Sequence, residues 1–95
     1  MIVGKVVGNV WATRKEETLN GLKFMIVVPA DPADPVGPGR QESFVAVDQV
    51  GAGIGEFVLV AQGSSARQTV KHANAPVDAA IVGIIDEMEV QKQAM

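Results

Sequence analysis

The chain has no cysteine. That excludes disulfides, thiolate metal ligands and cysteine nucleophiles, and it suits a reducing compartment. Tyrosine is also absent, and the aromatic set is Trp11, Phe24, Phe44 and Phe57. Single-strand binders stack bases on aromatic platforms, so this supply is thin for that task. Positive charge is scarce and scattered. Lys5, Arg14, Lys15, Lys23, Arg40, Arg67, Lys71 and Lys92 form no basic stripe, and the net charge is −3, so no nucleic-acid partner is expected. No apolar run approaches the roughly 20 residues of a membrane span. The opening MIVGKVVGNV lacks the basic segment and long apolar core of a signal peptide, so no membrane partner is expected. One histidine, His72, is too little for a metal centre, which needs several nitrogen or sulfur ligands.

What is present is apolar. Of 95 residues, 47% are hydrophobic and only 20% charged, which predicts one packed domain over residues 1–95 with a loose tail from about residue 91. A domain this small buries only about 60–65% of the surface its unfolded chain exposes, and many such domains gain stability by associating.

The pattern is that of strands. Residues 2–13, IVGKVVGNVWAT, are rich in β-branched residues, and Gly4 and Gly8 suggest a bend as at a barrel corner. A polar RKEETLNG ending in Asn20-Gly21 predicts a hairpin turn. LKFMIVVP, residues 22–29, is the second strand. Four of the five prolines follow one another from Pro29 to Pro38, which predicts an exposed loop. ESFVAVDQV and EFVLVAQ are the third and fourth strands. SSARQTVKHA predicts a short helix capped by Ser64 or Ser65, and APVDAAIVGIIDEMEV ends in a fifth strand. The fold class is therefore all-β: a small five-stranded barrel resembling the OB fold, with one short helix before the last strand. Closure removes the exposed edges that an open sheet would leave.

Alternation divides each strand into two faces. Ile2, Val6 and Val10 share one face of strand 1 with the glycines, and Val3, Val7 and Trp11 share the other with Lys5, Asn9 and Thr13. In strand 2, Leu22, Phe24, Ile26 and Val28 oppose Met25 and Val27. FVLV is apolar on both faces. A lone barrel needs only an apolar interior, so the excess predicts cover by the helix or by another subunit.

The stretch VDQVGAGIGEFVLVAQGSSAR raises the question of chemistry. Gly51, Gly53 and Gly55 do not have the G-x-G-x-x-G spacing, and a β-branched strand follows instead of a helix. A tight or bulged strand connection is the expectation. GSSAR is not a nucleophile elbow, and no base is placed beside either serine. Among the acids Asp48, Glu56, Asp78, Asp86, Glu87 and Glu89, no catalytic pair stands out; Asp86 and Glu87 point to opposite faces of a strand. No catalytic, cofactor-binding or metal-binding residue is assigned.

Three segments, GKVVGNVWATRKEETLNGLKFMIV, VAVDQVGAGIGEFVLVAQGSSAR and PVDAAIVGIID, resemble in order the pentameric vertex proteins of bacterial microcompartments, the EutN/CcmL family. The resemblance covers about residues 2–87. It implies an OB-like barrel, a homopentamer and a structural, non-enzymatic role with no cofactor. Such pentamers occupy the fivefold vertices of a cytoplasmic protein shell, beside hexameric facet proteins, in carboxysomes or in metabolic compartments; GSSAR and GAGIGE lean towards the latter. For a ring of this kind, Asp48, Gly51, Gly53, Gly55, Glu56, Ser64, Ser65 and Arg67 are our candidates for the subunit interface or ring axis. Arg67 is expected to reach across the boundary to Asp48 or Glu56. The alternatives are an OB-fold nucleic-acid or ligand-binding module and a small nucleotide-dependent enzyme.

Overall fold

The β-branched opening of the chain forms strand β1, Ile2–Val10, in a computed structural model that describes residues 1–12, 17–19, 21–30, 42–69 and 77–89. The other strands are β2 (Lys23–Pro29), β3 (Phe44–Asp48), β4 (Phe57–Gln62) and β5 (Ala79–Ile85). Helix α1, Ser64–Thr69, lies between β4 and β5, and a 3₁₀ turn, Glu17–Leu19, precedes β2. The strands close into a barrel in the order β1-β2-β3-β5-β4. All pairs are antiparallel except β3 with β5. The five strands, the single helix and the barrel closure match the sequence expectation. Strand β1 stops earlier than expected, and Thr13, Asn20, the proline-rich loop and His72 lie outside the described residues.

The barrel interior is built from small side chains. Val6, Met25, Val27, Ala46, Ala52, Val58, Val60, Ala79 and Ile81 form one buried cluster, with Ile2, Phe44 and Ile84 packed at its ends. Burying a valine or isoleucine fully is worth about 1.5–3 kcal/mol, and this cluster is the largest buried one among the described residues. Strand β2 turns its smaller apolar set, Met25 and Val27, inward, and leaves Phe24, Ile26 and Val28 outside.

Two bulges set which residues face the core. In the β1–β2 ladder Val6 pairs with Val27 but Gly8 pairs with Ile26, so Val7 is the extra residue. An extra residue reverses the alternation beyond it. Ile2, Gly4 and Val6 therefore face inward, whereas Gly8 and Val10 join Ile26 and Phe24 on the outside. This corrects the simple alternation, which placed Val10 with Val6. In the β4–β5 ladder Leu59 pairs with Gly83 and Val60 with Ile81, which makes Val82 the extra residue and lets both Ile81 and Ile84 reach the core.

Two small clusters cover part of the outer surface. Ala66 of α1 packs on Ala61 and Ala80, with Val82 beside them. Leu19, Leu22 and Phe24 pack with Val47 and Val77. Gly63 accepts a hydrogen bond from the Ala66 amide and so occupies the cap position of α1. Ser64 and Ser65 therefore sit exposed in the first turn of α1 instead of capping it.

Gly4 marks the tightest point of the wall. A Cβ there would run into Val27 Cγ1 and lie 3.2 Å from the Val28 carbonyl oxygen. At Gly8 the nearest atom would be the flexible Ile26 Cδ1, at 3.3 Å. Gly4→Ala should thus cost about 1–3 kcal/mol by overpacking, and Gly8→Ala distinctly less. Urea unfolding at one fixed protein concentration tests the order; equal midpoints for the two variants would contradict it.

Candidate assembly surfaces

The β3–β4 connection is built around two carboxylates. Asp48 ends β3, and its Oδ1 accepts from the backbone amides of Val50 (3.0 Å) and Gly51 (3.1 Å). Its Oδ2 accepts from Ala52 (2.9 Å). The Asp48 side chain is only 1% exposed, and Lys23 Nζ stands 3.9 Å from Oδ2. At that distance, with the lysine largely in solvent, the ion pair adds little. The three amides are the substantial partners, since charge-assisted hydrogen bonds are the stronger class. They direct Ala52 back into the core.

The second half of the loop is a turn and a bulge. The Glu56 amide donates to the Gly53 carbonyl at 3.2 Å, and Gly55, third in that turn, has φ +94°. This is the backbone of a type II turn, which requires positive φ at that position. Glu56 Oε1 accepts from the Gly53 amide at 2.6 Å. Gly55 then donates to the Val6 carbonyl (2.8 Å) while Val6 donates to the Glu56 carbonyl (3.0 Å). Gly55 and Glu56 together oppose Val6 in a glycine-led bulge that extends the β1–β4 ladder. Gly51 also has positive φ, +81°. The expected tight or bulged connection is present, with Gly51 and Gly55 as its required glycines. Gly53 has no positive φ, and a Cβ there would meet only Glu56 Oε1, at 3.4 Å.

The structure therefore draws Asp48, Gly51, Gly53, Gly55 and Glu56 into one loop. Ser64, Ser65 and Arg67 belong to α1, and the Arg67 side chain is outside the described residues. Gln49 joins the two regions: its amide Nε2 donates to the Thr69 carbonyl (2.7 Å) and to Thr69 Oγ1 (3.2 Å). Asp48 is committed to its own loop, with both carboxylate oxygens engaged and its side chain closed off from a neighbour. Its role as a loop anchor escaped the sequence reading; an acid followed within a few residues by two glycines is the signal that could have found it.

Outside the barrel, two flanks remain apolar and uncovered by described residues. On β1 and β4, Val3, Phe57 and Leu59 lie together, with Gly83 leaving room for the Leu59 side chain. Lys5 pairs with Phe57, and its Nζ stands 5.7 Å from the ring centre. On β2 and β3, Ile26 pairs with Val45, and Val45 is 48% exposed. Strand β3 lies across the barrel from the β1–β4 seam. Trp11, just past β1, is 90% exposed. No cluster of metal-ligating side chains occurs among the described residues.

The closed five-stranded barrel with its hydrogen-bonded turns is of the small, OB-like all-β class, and comparison with known proteins gives the family. The model of the family described as ethanolamine utilisation protein EutN/carboxysome matches residues 1–86. The chain belongs to the EutN/CcmL family. It is 43% identical over 95 residues to the carboxysome shell vertex protein CcmL of Synechococcus elongatus, covering 100% of this chain and 93% of that one. It is 44% identical over 90 residues to the microcompartment shell vertex protein GrpN of Rhodospirillum rubrum, covering 94% and 97%. The solved GrpN structure, a pentameric microcompartment shell protein, superposes with a TM-score of 0.84 at 42% identity, over 96% of this chain and 100% of that one. The structure of CcmL from Gloeobacter violaceus gives 0.87 at 40% identity, over 97% and 92%. Carboxysome and other microcompartment relatives thus match at near-equal identity, and the lean towards metabolic compartments finds no support in it.

The Asp48 anchor can be tested directly. Asp48→Asn keeps one acceptor oxygen but turns an NH₂ group towards an amide that needs an acceptor. Leaving a buried donor unsatisfied costs about 1–3 kcal/mol. Amide exchange at Ala52 should accelerate by a factor of about ten or more, with the amides of β1 and β2 little changed. Unaltered exchange at Ala52 would show that the loop does not depend on this carboxylate.

Proposed function

We propose that this chain forms the pentamers that cap the fivefold vertices of a bacterial microcompartment shell. The observation that carries the reading is full-length membership of the EutN/CcmL family, whose relatives are named shell vertex proteins and whose solved members include pentamers. The surface supports it. A closed ring is a heterologous assembly, in which each subunit presents two different surfaces to its two neighbours. This barrel carries two different apolar flanks, one on β1 and β4 and one on β2 and β3. A sheet of hexagonal tiles stays flat, and fivefold tiles give it the curvature to close.

The protein acts by shape. It works in the cytoplasm as part of the shell, takes no cofactor and performs no reaction; its partners are four further copies of itself and hexameric facet proteins. Glu56 keeps a place in the ring contact as a candidate for Arg67, whereas Asp48 serves from within its own loop. The nucleic-acid alternative is disfavoured by the acidic surface and the few exposed rings.

Native mass spectrometry at micromolar concentration should give one dominant fivefold species. Co-expressed with its cognate facet proteins, the chain should yield sealed polyhedra in electron micrographs, and its omission should give elongated or open-ended shells. A stable monomer, or shells that close equally well without it and without a paralogue, would reject the proposal.

A further inference from the structure

Most exposed loops are held loosely, and this one is not. Between Asp48 and Glu56, four amides are bound by the two carboxylates, two further bonds join the loop to Val6, and Gln49 ties it to Thr69. Yet the two largest apolar side chains it carries, Val50 and Ile54, point into solvent, and Ile54 is 61% exposed. Ile54 contributes nothing to the buried clusters. A rigid loop that displays an apolar side chain is pre-organised for contact, because little conformational freedom is lost when it docks.

The loop is continuous with one apolar flank. Its hydrogen bonds to Val6 extend the β1–β4 ladder, so the loop that carries Ile54 continues from the Phe57 end of the flank of Val3, Phe57 and Leu59. A stable contact buries about 800 Å² on each partner. Three side chains on a narrow two-strand face fall short of that, and the loop supplies the adjoining area. The opposite flank, Ile26 and Val45, is a sheet surface without a projecting element. A projection on one side and an open apolar face on the other suit head-to-tail contact between identical chains.

We infer that the β3–β4 loop is the knob through which each copy of this chain grips the next, with Ile54 seated on the β2–β3 face beside Val45 of the neighbouring copy. This rests on the ring reading above and adds the polarity of the contact: knob flank to sheet flank. Two variants test it. Ile54→Asp should weaken subunit association by at least about thirtyfold, the loss expected at an interface hot spot, while far-UV circular dichroism stays that of the folded barrel. Val45→Asp should do the same from the other side. Mixed together, the two variants should form a one-to-one pair and nothing larger, because only one intact knob can meet one intact sheet face. In addition, Ile54→Cys would be the sole thiol of the chain, and maleimide should label it about tenfold more slowly in the assembled protein than in the dissociated one, as expected of a desolvated contact. Wild-type chain that is itself monomeric overturns both this inference and the ring reading. A pentameric wild type with an equally stable Ile54→Asp pentamer, or mixed variants that fail to pair, overturns the inference and leaves the ring standing.

Discussion

The narrow bore of a five-stranded barrel governs this molecule. Its interior takes valines, alanines, one methionine and one fully buried isoleucine, and at Gly4 it takes no side chain at all. A chain that is 47% hydrophobic has more apolar bulk than such an interior accepts. The surplus must lie outside. Part of it is covered locally, by Ala66 of α1 on one side and by Leu19, Leu22 and Val77 on another. What is left forms the flanks, and a ring of copies is the economical way to cover flanks of this kind. The size of the barrel thus leaves apolar surface for the proposed ring to cover.

The same constraint explains the β3–β4 loop. Closing the end of a narrow barrel needs a small plug, and Ala52 is one. The plug must be aimed, since an eight-residue loop without its anchors would wander. Asp48 does the aiming by gathering three amides, and the turn ending at Glu56 returns the chain to β1 in register. Two acids that look like ordinary surface charge in the sequence are thereby split in purpose: one is buried as an anchor, and the other stands exposed with one oxygen engaged.

Strand positions, the helix and the closed all-β class were legible in the sequence because β-branched density and turn residues are local signals. The strand pattern alone pointed to a barrel; the family came from motif resemblance. The faces were only half legible. A single extra residue at Val7 reverses every assignment beyond it, and nothing in IVGKVVGNV marks Val7 rather than Val6 as the insertion. In strand β2 alternation separated the two apolar sets without saying which faces the core; the larger set, Phe24, Ile26 and Val28, faces outward. The role of Asp48 was hidden because its amide partners are brought together only by the fold of the loop. The turn glycines were visible as a group, but only the backbone angles separate Gly51 and Gly55 from Gly53.

Strand β5 lies between β3 and β4, although it comes last among the five in sequence. Before residues 79–85 leave the ribosome, the chain can make only an open four-stranded sheet in the order β4-β1-β2-β3, with both outer strands unpaired. Its join to β3 rests on just two paired positions, Val47 with Ala80 and Asp48 with Ile81. Strand β5 therefore supplies both closing seams of the barrel, and the seam with β3 passes through Asp48, the residue that anchors the loop. A copy without β5 keeps the exposed sheet edges of β3 and β4, and Asp48 then lacks the strand beside which it anchors its loop.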